Sequence, residues 1–352
     1  MRPDTPLPFL TSDLPGIGGR LKQRPEDFLV EELPAYEPCG EGEHLFLWIE
    51  KTDVAADELV RQIARTLCIS PRDVGTAGLK DRRALTRQYV SVPASCEAGI
   101  GRIETDRIHV LRSLRHRNKL RTGHLWGNRF SVLVRDLDAD AVARAAPIAE
   151  AINRLGFPNY YGEQRFGREQ ETLRIGLELL QGTVGPESIA PARRRFLLRM
   201  SLSAVQSALF NMVLAERLRD SLFSTVLPGD VMQVAASGGQ FVAIDAAAEQ
   251  QRFDSRQILL TGPIFGPRMT APQHEPAARE SCVLSAWGLS SEHFTRFAKL
   301  TSGTRRPLVV WPDALRVENE SDGLRFDVRL PSGVYATTLL REFLKTPAGD
   351  LP

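Results

Sequence analysis

The chain has 352 residues, 42% hydrophobic and 25% charged, which is the balance of an ordinary soluble globular protein long enough for two domains. Its four cysteines, Cys39, Cys68, Cys96 and Cys282, lie far apart without a CxxC pair; this excludes a zinc ribbon or a disulfide framework and predicts free thiols in a reducing compartment. A formal charge of +2 is close to neutral and gives no whole-chain sign of nucleic acid. The opening "MRPDTPLPFLTSDLPG" has prolines and acids where a signal peptide needs an apolar run, and no segment reads as about 18 successive apolar residues. A cytoplasmic protein is the expectation.

In chain order, "LKQRPEDFLVEELP" predicts an extended segment with Phe28 and Val30 on one side and Leu29 on the other. "HLFLWIEKT" predicts a short apolar strand. "DVAADELVRQIARTLCIS" predicts a helix with Leu59, Ile63 and Leu67 on one face and Pro71 as its stop. "PRDVGTAGLKDRRALT" is a loop by its Gly and Pro content, feeding a strand at "RQYVSVP". Asp81 therefore sits on a loop between a helix and a strand, one carboxylate among Lys80, Arg82, Arg83 and Arg87. Loops held by a rigid scaffold are common sites for reactive groups.

Further on, "NRFSVLVRDL" alternates as a strand, and "DADAVARAAPIAEAINRLG" predicts a helix that Gly156 can end. Residues from about 168 to 225 read as helical, followed by a Gly- and Pro-punctuated stretch of short strands and loops. Strand character returns near "TSGTRRPLVVWP" and in "GLRFDVRLP", and "ATTLLREFLK" closes as a helix. The order predicts an α+β or mixed α/β fold. Periodicity alone leaves open whether the strand-containing tail joins the helical middle or returns to the first part.

Charge is unevenly placed. From Arg107 to Arg135 there is no Asp or Glu, and a second basic run, "RRRFLLR", spans Arg193 to Arg199. Such runs fit a phosphate-backbone binder; a solvated face balanced by acids elsewhere is the alternative. "VLVRDLDAD" resembles the strand end of an aspartyl-phosphate enzyme, but Asp136, Asp138 and Asp140 are explained by capping the following helix. There is no GxGxxG, Walker loop, HExxH or GxSxG. Three pieces stand out: "GLKDRRALT", "LWGNRF" and "NYYGEQRFG". Aromatics interleaved with cations and amides suit an unstacked nucleotide, with rings for the base, amides for its edge and Arg for phosphate. Singly, each is also the pattern of a turn with a core aromatic.

"AGLKDRRALT" and "NYYGEQRFG" resemble two signature motifs of the TruD family of tRNA pseudouridine synthases, and "GNRF", "TGPIFG" and "LPSGVYATTLLREF" are similar to further family blocks in the same order. The resemblance runs from end to end. It implies an α+β, mixed α/β fold: a pseudouridine-synthase-type catalytic domain on a mostly antiparallel sheet, residues 1–155 and 306–352, interrupted by an inserted TRUD domain, 156–305. It implies conversion of a tRNA uridine, most often at position 13, to pseudouridine, with Asp81 as the catalytic carboxylate. Phe28, Asn128, Phe130 and Tyr335 fall on substrate-contact positions; Tyr335 stands where the family has Phe, keeping the ring and adding a hydroxyl. No cofactor and no metal are expected, tRNA is the expected partner, and no membrane or obligate protein partner is. Lys80, Arg82 and Arg83 would attract RNA and keep Asp81 ionised if they turn inward. The inserted domain would help to grip RNA through Arg193 to Arg195. The competing reading is a non-catalytic RNA-binding or RNA-chaperone protein with the same fold.

Overall fold

The computed structural model describes residues 6–345. They divide into two compact units. One comprises Leu14–Asn153, Pro312–Ala336 and the residues from Phe343 on; the other comprises the residues up to Asp13, Arg154–Trp311 and Thr337–Glu342.

The first unit begins with β1 (Gly18–Arg20), β2 (Phe28–Pro34) and β3 (His44–Thr52). β2 buries alternate residues, Phe28, Val30 and Glu32, as a strand covered on one face does. Helix α1 (Ala56–Thr66) packs Leu59 and Ile63 against Leu45, Leu47 and Ile49 of β3 and against Val90 and Val92. It ends before Pro71: Cys68 takes a left-handed backbone, φ 56°, and breaks the helix first. Next come β4 (Gly75–Thr76), β5 (Leu85–Pro93), β6 (Ile108–His116), the long β7 (Leu125–Leu137) and α2 (Ala141–Leu155). The strand β6 lies inside the acid-free run and has no counterpart in the sequence reading.

In the second unit follow β8 (Phe157–Pro158), α3 (Glu171–Gln181) and α4 (Pro191–Arg219), then β9 (Val231–Val234), β10 (Gln240–Val242), α5 (Ala246–Asp254) and β11 (Ile258–Ile264). Helices α6 (His274–Ala286) and α7 (Ser291–Thr295) precede β12 (Thr304–Pro307) and β13 (Val309–Val310). The 29-residue α4 is the axis of this unit. Leu202, Val205, Leu209 and Met212 pack with α3 and α6 residues, while Phe210 and Leu214 meet Met232, Ile258 and Leu260. A window of α4 reaches a mean hydropathy of 1.3, enough by length and composition to cross a bilayer. The criterion of an uninterrupted apolar run passes over it. With 72% of that window buried inside the protein, its apolar side chains are committed to the core.

The chain closes with β14 (Asp313–Glu320), β15 (Gly323–Pro331) and α8 (Ala336–Leu344). The first unit's sheet runs β14-β15-β7-β2-β5-β3-β6, with β1 also on β7 and β4 also on β5. Every pairing in it is antiparallel except β2 with β5. The second unit carries a four-stranded antiparallel sheet, β10-β9-β11-β12, and the pair β13-β8. The molecule is thus the mixed α+β, mostly antiparallel architecture expected from the sequence.

Candidate active site

The parallel pairing of β2 with β5 covers only three residues, Leu29–Glu31 against Leu85–Arg87. Beyond it a side chain takes over the seam. One oxygen of buried Glu32 accepts the Tyr89 N–H (3.3 Å), and the other accepts the buried Lys80 ammonium (2.8 Å). Burial pushes the Glu32 carboxyl above its usual range against the pull of Lys80. Lys80 thereby ties the segment before Asp81 into the sheet. The same loop is held at its start: Gly75 and Thr76 pair with β5, Ala77 packs with Phe46, Tyr89 and Leu120, and the Ala77 carbonyl accepts the Gly123 N–H at 2.8 Å. Any side chain at Gly75 would strike the Leu120 carbonyl, 2.4 Å from where its Cβ would stand.

Asp81 is anchored through its backbone and presented through its side chain. The fully buried Lys51 ammonium donates to the Asp81 carbonyl (2.8 Å) and the Val54 carbonyl (2.7 Å). Burial lowers the Lys51 amine to about 8, with the nearby Asp81 charge acting in the opposite direction. The Asp81 carboxylate is 45% exposed and meets one ammonium, that of Lys22, at 3.2 Å. Lys22 itself is almost wholly enclosed, and its Nζ stands 4.4 Å above the Phe28 ring. The Phe28 ring meets Phe130 edge-on, centroids 6.1 Å apart at 72°. Asp81, Lys22, Phe28 and Phe130 therefore form one continuous chain of contacts.

The cations adjacent in sequence do not turn inward onto Asp81. Lys80 is consumed by Glu32, Arg82 approaches Asp53 at 3.6 Å, and Arg87 is divided between Glu50 (2.8 Å) and Glu31 (3.5 Å). Arg83 is exposed and forms no ion pair among the described residues. The ammonium that Asp81 does meet is that of Lys22, 59 residues upstream, rather than any of Lys80, Arg82 and Arg83, which were expected to turn inward.

Asn128 lies two residues before Phe130 on β7, so both project from the same face. It is flanked by Glu32 on β2 and Leu330 on β15. Its Oδ1 is buried and has no hydrogen-bond partner among the described residues. Gly127 before it is needed for the strand's close approach: a Cβ there would lie 2.1 Å from the Leu330 carbonyl oxygen. Tyr335 is exposed on the turn after β15, and that turn is fastened by Ser332 N–H to the Trp126 carbonyl at 3.0 Å.

The "NYYGEQRFG" residues are mostly engaged by the second unit itself. Asn159 donates to the Pro307 carbonyl and accepts from Arg306; Tyr160 is buried; Tyr161 and Asn211 exchange two hydrogen bonds; Arg165 reaches Ser203 and Ser207 of α4. On the first turns of α4, Arg193, Arg195 and Arg199 are exposed beside an exposed Phe196, and Arg194 donates to the Ile189 carbonyl. Among the described residues no group of three or more His, Cys, Asp or Glu side chains is arranged to hold a metal ion.

A family model described as tRNA pseudouridine synthase D (TruD) matches residues 7–186 and 191–343. A tRNA pseudouridine synthase D of Anaeromyxobacter dehalogenans is 42% identical over 348 residues, covering 99% of both chains. One from Thermus thermophilus is 41% identical over 344 residues, covering 97% of this chain and 93% of its own. In fold, the chain is similar to a crystal structure from Methanosarcina mazei assigned to tRNA pseudouridine synthase D, with a TM-score of 0.79 at 24% identity over 98% of this chain and 97% of that one. By class the chain is a pseudouridine synthase, an isomerase. Within that class it belongs to the TruD family of tRNA pseudouridine synthases.

Proposed function

We propose that this enzyme converts the uridine at position 13 of tRNA to pseudouridine, with Asp81 as the catalytic carboxylate acting on a nucleotide flipped out of its stack. The observation that carries the reading is the contact chain itself: an exposed carboxylate, fixed through its backbone by Lys51, ends at an ammonium that caps the Phe28–Phe130 ring pair. In the reaction the C1′–N1 bond of the uridine breaks and a C1′–C5 bond forms. The proton on C5 is lost and N1 gains one, so the product is an isomer and no electrons are exchanged. Phe130 and Tyr335 are proposed to stack on the extruded base. The unpaired Asn128 Oδ1 is an acceptor suited to the N3–H of uracil. Extrusion costs a few kcal/mol, which stacking and phosphate contacts repay. Lys22 is a positioning residue: its ammonium, 3.2 Å from the carboxylate, fixes the rotamer that Asp81 presents. A cytoplasmic location is proposed as well, supported by four unbonded cysteine thiols.

Tritium release from tRNA transcripts carrying [5-³H]uridine tests the reading, comparing the wild type with Asp81→Asn and mapping the product by mass spectrometry. The expected result is release at position 13 by the wild type alone, with tRNA affinity of the variant within about twofold. Equal release by both proteins, or loss of binding in parallel with activity, overturns the assignment of Asp81. Release from a different uridine overturns the position.

A further inference from the structure

Beside the Asp81 loop, in the same unit, is a cavity of ≈ 500 Å³ that the contact chain above does not use. Its aromatic side is Tyr36 with two histidines. The His116 ring stacks on Tyr36 at 5.1 Å and 17°, and His124 meets it edge-on while its Nδ1 lies 2.6 Å from the Tyr36 hydroxyl. Its polar side is Lys119 and Arg121, with the exposed amide of Asn118 between the two kinds of wall. Glu37 also lines it, and that carboxylate already accepts the Tyr89 hydroxyl at 3.1 Å.

Two features connect this cavity to the active site. The turn that carries Arg121 and His124 is hydrogen-bonded to Ala77, four residues before Asp81, through the Gly123 N–H. On the other wall, Glu37 is joined through Tyr89 to Glu32, the partner of Lys80. A ligand in the cavity therefore rests on the framework that holds the Asp81 loop. The volume lies in the range of about 300–1,000 Å³ that small-molecule-sized groups occupy. Flat rings beside an exposed amide and two cations, Arg121 and Lys119, whose ammonium also donates to the Arg72 carbonyl, are what an unpaired ribonucleotide needs: a stacking surface, an edge reader and a phosphate site.

We propose that this cavity is a second nucleotide site, holding one unstacked nucleotide of the same RNA, its base against the Tyr36–His116–His124 rings and its phosphate on Lys119 and Arg121. The assignment rests on the reading of the enzyme as acting on tRNA. Occupancy would couple docking to the presentation of Asp81, because both share the turn at Gly123 and Ala77.

The test is steady-state tritium release and equilibrium binding of a full tRNA transcript by the wild type and by Arg121→Ala and Asn118→Ala, both exposed positions. For either variant kcat/KM is expected to fall about tenfold, carried by KM. For Arg121→Ala the slope of log Kd against log salt is also expected to decrease by about one, a change that a merely structural defect does not produce. Ultraviolet cross-linking of the transcript, mapped by mass spectrometry, should place a nucleotide adduct on Tyr36 or within residues 116–124. Wild-type release with unchanged KM in both variants and no adduct there overturns the second site alone. Absence of release by the wild type, from tRNA of any sequence, overturns the underlying reading and the site with it.

Discussion

Lys22 makes at Asp81 the ion pair that the adjacent cations of the loop do not. An ammonium 3.2 Å from a half-exposed carboxylate, itself enclosed over an aromatic ring, has little freedom to leave. Charge-assisted hydrogen bonds of this kind contribute about 1.5–3 kcal/mol, so Lys22→Gln should lower kcat/KM roughly 10- to 100-fold. Single-turnover tritium release measures this, with a cooperative thermal transition still well above the assay temperature showing that the fold is intact. Lys51 offers a separate handle through pH. Its ordinary value is 10.5 and burial lowers it to about 8 in the folded protein. Between those values the unfolded chain holds more protons at this amine, so its contribution to stability rises with pH across that window and is flat below it. The stability difference between wild type and Lys51→Met, from urea midpoints, should therefore grow in favour of the wild type from about pH 7.5 to about pH 9.5. Tyr89, pushed up to about 12 by burial and Glu37, titrates above that window. At this scale the loop and Asp81 were legible from glycines and a lone acid among cations. Lys22 and Lys51 were not, because nothing in "GRLKQR" or "WIEKTD" marks a lysine that folds onto a residue 59 or 30 positions away.

Among the elements, the seam between β2 and β5 determines where the Asp81 loop can enter. Three paired residues give way to a carboxylate that bonds Tyr89 N–H and Lys80 together, replacing ladder hydrogen bonds with one buried ion pair. Removing one charge of such a pair leaves the other uncompensated and costs about 3–5 kcal/mol. Glu32→Gln should lose stability of that order in urea denaturation. It should also lower tritium release beyond what the unfolded fraction explains, since Lys80 would no longer secure the loop. A loss below about 1 kcal/mol would show that the seam is held by the backbone alone. The elements readable in advance were those marked by a local apolar run or periodicity: β2, β3, β5, β7 and β15, and the helices α1, α2, α4 and α8. Strand β6 escaped because it ends the sheet order and its arginines and histidines follow no apolar alternation. Helix α6 escaped because it starts just after a Gly- and Pro-rich stretch and buries only a few positions, Pro276, Glu280, Val283 and Leu284. Glu280 is one of these because Arg305 of β12 pairs with it, a contact 25 residues away that no local pattern reveals.

Across the whole molecule a net charge of +2 must serve a polyanionic substrate, so placement decides what RNA feels. Much of the acid-free run is neutralised from outside it: Arg107 by Glu58, Arg115 by Glu97, Arg117 by Glu41, and Arg135 by Asp27 and Asp322. These pairs explain why the run looked like a larger electrostatic footprint in the sequence than it makes in the fold. An arginine already paired with a surface carboxylate gains less from a phosphate, because the carboxylate must first be displaced or left unpaired. Arg83, beside Asp81 and outside any ion pair among the described residues, carries no such cost. Each phosphate contact contributes roughly 0.7–0.9 to the slope of log Kd against log salt. Arg83→Ala should therefore reduce that slope by about one and weaken tRNA binding at low salt. Arg115→Ala and Arg117→Ala should leave the slope unchanged within error. A filter-binding titration at four or five salt concentrations checks all three. If the paired arginines reduce the slope as much as Arg83 does, RNA strips the carboxylates from β6, and the acid-free run as a whole is the docking face.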